Sequence, residues 1–130
     1  MDALTFSPTN CRVSTASSSE NISLENFLVT FESYLVDRAN CFDHVVRDLA
    51  LQALTSGGKR IRPALVHACG SGNLSISESL IKAAAIVEFV HVATLVHDDV
   101  LDDASIRRAH KTVYAERGAT AAILLGDSLF

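Results

Sequence analysis

The feature that most restricts the fold of this chain is a long apolar segment that ends in a run of aspartates. Residues 83–101 are mostly Ala, Val, Leu, Ile and Phe, and apolar side chains fall on nearly every face of a helix. A helix of this kind must be enclosed by neighbouring elements. Because Glu88, His91 and Asp98 interrupt it, we do not expect it to span a membrane. The segment therefore predicts a helix buried inside a bundle.

Two helices are predicted before this segment. An apolar stripe at helical spacing begins at Leu24, and Ser23 before it is the expected N-cap. A second stripe begins at Phe42, and Gly57-Gly58 ends it, because glycine readily takes the left-handed conformation that follows a helix. The two stripes are Leu24, Phe27, Leu28, Phe31 and Leu35, and then Phe42, Val45, Val46, Leu49, Ala50, Ala53 and Leu54.

Further helices are predicted in the rest of the chain. Pro63 suits the first turn of a third helix, and the capping box at residues 75–78 opens the apolar one. Gly118 separates a short helix from a last helix that is still in progress at Phe130. We find neither strand-like alternation nor an internal repeat. Residues 23–130 therefore predict an all-α domain.

The first 22 residues differ from the rest in composition. They are rich in Ser and Thr and lack the apolar core of a secretory signal. We expect a disordered tail on a cytoplasmic protein, and an organellar transit peptide is the alternative. The net charge of −4 provides no general basic surface for nucleic acid. Cys11, Cys41 and Cys69 are widely spaced, which predicts free thiols.

Four aspartates follow one another at the end of the apolar segment. Asp98 and Asp102 are four residues apart, so they share a helix face about 6 Å apart along the axis. Asp99 and Asp103 form a second pair on the adjacent face, although Asp103 is alternatively a solvated cap. Paired carboxylates suit Mg²⁺, which is usually held by one or two carboxylates together with substrate phosphates.

Two basic groups accompany the aspartates. Arginine offers a bidentate fork and lysine a point charge, and both suit phosphate groups. Glu88 and His91 lie on the same face as Asp98, so a polar stripe runs along an apolar helix. A cavity with charge at its mouth and apolar walls would fit a diphosphate head with a hydrocarbon tail. The basic groups are Lys59, Arg60 and Arg62, and then Arg107, Arg108 and Lys111.

These motifs resemble those of the trans-type polyprenyl (isoprenyl) diphosphate synthase family. GGKRIRP at residues 57–63 resembles the first family signature, and EFVHVATLVHDDVLDD at residues 88–103 resembles the first aspartate-rich motif. Arg107-Arg108 and GDSLF at residues 126–130 are similar to the segments that follow. The resemblance implies the N-terminal part of an isoprenoid-synthase-type helical bundle, usually a homodimer. It also implies a transferase that condenses isopentenyl diphosphate with an allylic diphosphate to make a polyprenyl diphosphate.

The resemblance implies a role for individual residues. Asp98 and Asp102 would bind Mg²⁺ that bridges to the allylic diphosphate, and Asp99 would be a further catalytic residue of the same motif. Ala93 and Thr94 would control product length, and a small residue at Ala93 predicts a medium or long product. The residues implied in substrate binding are Lys59, Arg62, His91 and Arg108 for isopentenyl diphosphate, and Arg107 for the allylic diphosphate.

The sequence also departs from the family pattern. Ala109 stands where the family usually has Gly, and no second aspartate-rich motif occurs in the 130 residues. We therefore expect a fragment that is inactive and poorly soluble alone. A class I terpene cyclase is an alternative, but it does not need the residues implied in isopentenyl diphosphate binding. A non-catalytic subunit, which tends to lack the first aspartates, and a purely structural bundle are the others.

Overall fold

A computed structural model describes residues 23–70 and 77–130 of the chain, and the fold is reported for these residues. They form five helices and one short β-hairpin, with the fourth helix packed against the other four. The all-α prediction is thus confirmed apart from the hairpin. The elements are α1 (Leu24–Asn40), α2 (His44–Thr55), α3 (Ile61–Gly70), α4 (Glu78–Leu101), β1 (Ile106–Arg107), β2 (His110–Lys111) and α5 (Val113–Leu129).

The start of α1 and the end of α2 agree with the prediction, whereas α2 begins at His44, after the predicted Phe42. Ser23 is the N-cap of α1, and its hydroxyl accepts a hydrogen bond from the backbone N–H of Asn26 at 3.4 Å. Helix α2 ends at Thr55, and Gly57 follows with φ 81°, in the left-handed region. Local sequence signals therefore determine where α2 ends and where the loop that carries Lys59 and Arg60 begins.

The start of α4 differs from the prediction. A capping box at residues 75–78 would make Ser75 the cap, whereas α4 begins at Glu78 and its N-cap is Ser77. The Ser77 hydroxyl accepts a hydrogen bond from the backbone N–H of Leu80 at 3.2 Å. The box prediction is wrong because Ser77, directly before Glu78, is the N-cap.

Two apolar clusters hold α4 in place. One joins α1 to the first half of α4, with Phe27 and Phe31 fully buried. The other joins α2 and α5 to the second half, with Leu54 and Leu125 almost fully buried. Truncating one of these phenylalanines to alanine would cost about 3–5 kcal/mol. Burial at both ends fixes the position of the polar residues between them.

One side of α4 remains open, contrary to the prediction that neighbours enclose it. In the described part of the chain, Ile86, Val90 and Leu101 of α4 are exposed. By length and composition alone, α4 is also long and apolar enough to cross a membrane. The expectation of no transmembrane segment is therefore not confirmed. Packing against four helices is equally typical of a core helix.

The hairpin contradicts the prediction that the chain contains no strands. β1 and β2 pair antiparallel through two residues each, a length at which apolar alternation cannot be recognised. The turn residues Arg108 and Ala109 have φ values of 51° and 65°. Such two-residue turns favour residues that tolerate positive φ. Ala109, where the resemblance expects Gly, therefore lies at a strained position.

Gly118 interrupts α5, as the sequence predicts. Its φ of 84° and ψ of 172° are not helical, so a short helical turn precedes the main part of α5. The hydroxyl of Thr112 caps this turn by accepting a hydrogen bond from the N–H of Ala115 at 3.0 Å. The break lets the short turn follow the hairpin while the main part of α5 packs along α4.

Some predictions lie partly outside the described residues. The predicted tail, residues 1–22, and Cys11 within it are not described. Cys69 is a free and exposed thiol, as expected. Cys41 is disulfide-bonded, so the prediction of a free thiol is wrong at that position.

Candidate functional site

A basic cavity lies between the α2–α3 loop, the middle of α4 and the hairpin turn. Its volume is about 600 Å³. The lining includes Lys59, Arg62, His91 and Arg108, the four residues implied in isopentenyl diphosphate binding. They come from three separate segments of the chain. The structure therefore brings this predicted set together.

Two glycines let the hairpin approach the α2–α3 loop. Arg108 Nη1 donates a hydrogen bond to the carbonyl oxygen of Gly57. A Cβ atom added at Gly58 would lie 2.7 Å from the same nitrogen, and the φ of Gly58 is 150°. A larger residue at Gly58 would therefore be strained and would push the Arg108 guanidinium away from the loop. The sequence assigned these glycines to helix termination and to the GGKRIRP signature, and gave no signal of their contact with the hairpin.

Two titratable groups that line this cavity, His91 and Arg60, have a shifted pKa. Burial lowers the pKa of His91 below 6.5, and the positive charge of Arg62 lowers it further, while Glu88 opposes the shift. The lowered pKa favours the neutral imidazole at pH 7, and the positive charges of Arg108 and Arg107 act in the same direction as that of Arg62. An anion bound here would favour the protonated form.

Glu88 belongs to an ion pair beneath the cavity. Its Oε1 atom accepts a hydrogen bond from Arg60 Nη1 at 2.6 Å, and both side chains are buried. Burial by itself would lower the pKa of Arg60, but hydrogen bonds and charge from Glu32 and Glu88 outweigh burial and raise it. At Glu88, the predicted polar stripe of α4 is therefore neutralised by an ion pair. The basic triplet gave no signal that Arg60 differs from its neighbours.

Asp98 and Asp102 lie at the C-terminal end of α4 and are exposed. The backbone N–H of Asp102 donates to the carbonyl oxygen of Asp98 at 2.8 Å, so the helical turn continues through this pair. The two side chains therefore project from one face, as predicted. Neither carboxylate has an ion pair or hydrogen bond with any described residue. Their oxygens are available to a ligand.

This donor set fits Mg²⁺ that is held jointly by protein and substrate. Within residues 23–70 and 77–130, no three His, Cys, Asp or Glu residues cluster closely enough to form a metal site. Mg²⁺ often takes one or two carboxylates and completes its six oxygens with water and phosphate. Asp98 and Asp102 meet the protein share of that requirement.

Asp99 and Asp103 have different surroundings from the other pair. Asp99 is buried, and its Oδ1 atom accepts a hydrogen bond from Arg107 Nε at 2.6 Å. Asp103 is exposed with φ 50°, and its carboxylate accepts a hydrogen bond from the hydroxyl of Tyr114. Asp103 thus has a local structural contact, consistent with the alternative role considered for it. Asp99 fastens the hairpin to α4 through Arg107.

Arg107 and Arg108 face two adjacent cavities. A second cavity, of about 440 Å³, lies between α2, α4, the hairpin and α5, and both arginines line it. Arg108 lines the basic cavity as well, whereas Arg107 does not. Asp98 and Asp102 line neither of these two cavities. About 10 Å of α4 separates His91 from Asp98 along the helix axis.

The two residues predicted to control product length lie in different environments. Ala93 is fully buried within the cluster that joins α4 to α2 and α5. Thr94 is exposed, and its hydroxyl donates to the carbonyl oxygen of His91 at 2.7 Å. A large side chain would therefore have to displace core atoms at Ala93, but would project outward at Thr94.

The GDSLF segment secures α5 against α4. Gly126 is buried where the His97 ring crosses α5, and an added Cβ would collide with that ring. His97 Nε2 lies 3.2 Å from the carbonyl oxygen of Ile123 and 3.5 Å from Asp127 Oδ1. His97 thus contacts α5, at Ile123 and Asp127, rather than the neighbouring Asp98.

Comparison with known proteins identifies the fold. The heptaprenyl diphosphate synthase of Staphylococcus aureus superposes with a TM-score of 0.79 at 35% identity, over 84% of this chain and 35% of that one. The architecture is that of the all-α isoprenoid synthases. Residues 43–130 match the polyprenyl synthetase family, and the chain belongs to that family.

Curated relatives agree with this assignment. The all-trans-nonaprenyl-diphosphate synthase (geranyl-diphosphate specific) of Rhodobacter capsulatus is 40% identical over 89 residues, which are 65% of this chain and 26% of that protein. The farnesyl diphosphate synthase of Haemophilus influenzae is 43% identical over 79 residues, which are 59% of this chain and 27% of that protein. The chain thus spans about a quarter of the length of these relatives.

Proposed function

We propose that the chain is the N-terminal part of a prenyltransferase that condenses isopentenyl diphosphate with an allylic diphosphate and releases pyrophosphate. The observation that carries this proposal is the convergence of Lys59, Arg62, His91 and Arg108 on one cavity. Three permanent positive charges and a titratable imidazole match the charge of a diphosphate. The relatives named as prenyl diphosphate synthases support the same reaction.

The chemistry divides between the two ends of the site. The basic cavity would bind and orient isopentenyl diphosphate so that its alkene faces the allylic carbon. Arg107, positioned by Asp99, would contact the allylic diphosphate. Asp98 and Asp102 would hold Mg²⁺, which supplies positive charge to the departing diphosphate. The proton lost after carbon–carbon bond formation would pass to pyrophosphate.

Product length is proposed to be medium or long. Thr94 projects from the open side of α4 one turn before Asp98, and it is not bulky. The relative from Rhodobacter and the structure from Staphylococcus carry the names of long-chain synthases, whereas the Haemophilus relative is a farnesyl diphosphate synthase. We favour the longer product because small side chains occupy both Ala93 and Thr94.

Assembly and location are proposals from the sequence. We propose a homodimer, which the family resemblance implies, and a cytoplasmic location, which follows from the composition of residues 1–22. Analytical ultracentrifugation would test the first. A fluorescent reporter fused after residue 22 would test the second, and import of the reporter into an organelle would contradict it.

The test of function is product analysis with the protein as its gene encodes it. The protein is incubated with Mg²⁺, labelled isopentenyl diphosphate and geranyl or farnesyl diphosphate, and the hydrolysed products are separated by chain length. We expect prenyl products that require both substrates and that are lost in an Asp98→Asn/Asp102→Asn variant. Consumption of the allylic diphosphate without isopentenyl diphosphate would instead indicate a terpene cyclase. Prenyl transfer by residues 1–130 alone would contradict the expectation that this part is inactive.

A further inference from the structure

Arg60 differs from its basic neighbours, Lys59 and Arg62, because its side chain points into the protein. Its side chain is buried, whereas Lys59 and Arg62 on either side are exposed. The guanidinium donates to both carboxylate oxygens of Glu32, at 2.5 and 3.0 Å, and to Glu88 at 2.6 Å. Four N–H groups are used once the carbonyl oxygen of Leu54 is included, at 2.6 Å. Arginine has five such donors, so little of Arg60 remains for a ligand.

These contacts join three helices at the base of the basic cavity. Glu32 lies in α1, Glu88 in α4 and Leu54 near the end of α2, so a single side chain crosslinks all three. The guanidinium also lies 5.9 Å from the ring centre of Phe31, at the edge of the core. Glu32 does not line the cavity, so it can influence a ligand there only through other residues.

The backbone at Arg60 is strained in a way that the crosslink explains. Its φ is 45°, in the left-handed region that non-glycine residues rarely adopt. Such a conformation persists only where surrounding interactions determine it. The four side-chain hydrogen bonds supply these interactions. The strained residue lies between Lys59, in the loop, and Arg62, in the first turn of α3.

Lys59 and Arg62 themselves have no fixed partners. Neither forms a hydrogen bond or ion pair with any residue in the described ranges, yet both line the cavity. Lys59 lies in the α2–α3 loop and Arg62 in the first turn of α3. If their backbone were free to move, these two long cationic side chains would lose entropy on binding an anion. A loop anchored between them would keep their backbone in place and reduce that cost.

We propose that Arg60 is a positioning residue for isopentenyl diphosphate binding, which anchors the end of the α2–α3 loop to α1 and α4 and so holds Lys59, in the loop, and Arg62, in the first turn of α3, at the cavity. This inference rests on the proposed function and identifies how its diphosphate site is kept in shape. The positive charge of Arg60 also favours anion binding, because it neutralises Glu88. Without Arg60, Glu88 would present an unpaired carboxylate at the base of a cavity for anions.

The test compares Arg60→Lys and Glu32→Gln with Arg47→Lys in the protein as its gene encodes it. We call the contacts of Arg60 with Glu32, Glu88 and the Leu54 carbonyl the clamp. Lysine retains the positive charge of Arg60 but lacks its bidentate guanidinium, and Glu32→Gln weakens the clamp from outside the cavity. Arg47 is the matched control, since it is half-buried in α2 and its guanidinium contacts the Phe42 carbonyl instead. Inorganic pyrophosphate affinity is measured by calorimetry well below each melting temperature, together with KM and kcat for isopentenyl diphosphate.

We expect both clamp variants to bind pyrophosphate more weakly and to raise KM, on the order of tenfold, with a smaller change in kcat. The control should change neither. A lower melting temperature with unchanged affinity and KM would mean that Arg60 is only structural, and would overturn the inference. If Arg60→Lys fails to fold, Glu32→Gln decides the matter. Pyrophosphate binding without prenyl transfer would refute the proposed function. The pyrophosphate affinities of the variants would still show whether Arg60 positions the anion site.

Discussion

Two neighbouring aspartates should respond oppositely to the same substitution. Asp99 is buried and paired with Arg107 at 2.6 Å, whereas Asp98 is exposed and has no partner among the described residues. Asparagine preserves the shape of both side chains and removes the charge. We expect Asp99→Asn to destabilise the fold, and Asp98→Asn to leave stability unchanged while abolishing Mg²⁺-dependent activity.

The magnitude follows from the surroundings of the pair. Removing one partner of a fully buried ion pair costs about 3–5 kcal/mol. The Arg107 side chain is 36% exposed, against 9% for Asp99, so water screens part of the lost interaction. We therefore expect Asp99→Asn to lower the free energy of unfolding by about 2 kcal/mol.

Urea unfolding followed by circular dichroism measures this difference, with Asp98→Asn as the matched control. An Asp99→Asn/Arg107→Gln double variant completes a mutant cycle that isolates the pair. Equal unfolding midpoints for the two single variants would refute the assignment of Asp99 to the hairpin contact. Strong additivity in the cycle would refute the coupling to Arg107.

Three further predictions concern the turn, the cavity and α4. Ala109→Gly should raise the free energy of unfolding by about 1 kcal/mol, because glycine relieves the positive φ; an unchanged or lower urea midpoint would contradict this. The pKa of His91 is lowered on folding, so the unfolded chain binds a proton more readily. The free energy of unfolding of the wild type should therefore be fully retained above pH 6.5 and should fall as the pH drops through the lowered pKa. Between pH 7.5 and pH 5.5, the His91→Gln variant should lose less of its free energy of unfolding than the wild type. Parallel pH profiles for the two proteins would exclude His91 as a source of the pH dependence. Ala93→Phe should lower the melting temperature by overpacking the core, whereas Thr94→Phe should leave it unchanged and shorten the product. Equal melting temperatures for the two variants would contradict the buried position of Ala93.

Local patterns predicted much of the fold. Ser23 caps α1, Gly57 follows α2 and Gly118 breaks α5, because each of these features depends on backbone conformation within a few residues. The hairpin was missed because its two strands have only two residues each. The capping box was misplaced because Ser77, which lies outside the box pattern's first position, is itself a favourable N-cap residue and directly precedes α4.

The candidate site was predicted less completely. Lys59 and Arg62 were expected close together because their motif is contiguous in sequence, and both line the basic cavity. Arg60, which lies between them, could not be distinguished as a buried anchor. Nothing near Arg60 in the sequence indicates that Glu32 and Glu88, each 28 residues away, become its partners.

Asp98 and Asp99 also show the difference between what local sequence predicts and what tertiary packing decides. Helical spacing, which depends only on the backbone, shows that Asp98 and Asp102 share a face at the end of α4. Whether a carboxylate remains free or is paired depends on which side chain the folded chain brings to it. Strand β1 of the hairpin carries Arg107 to Asp99 and leaves Asp98 open, and this outcome is set by packing between separate segments.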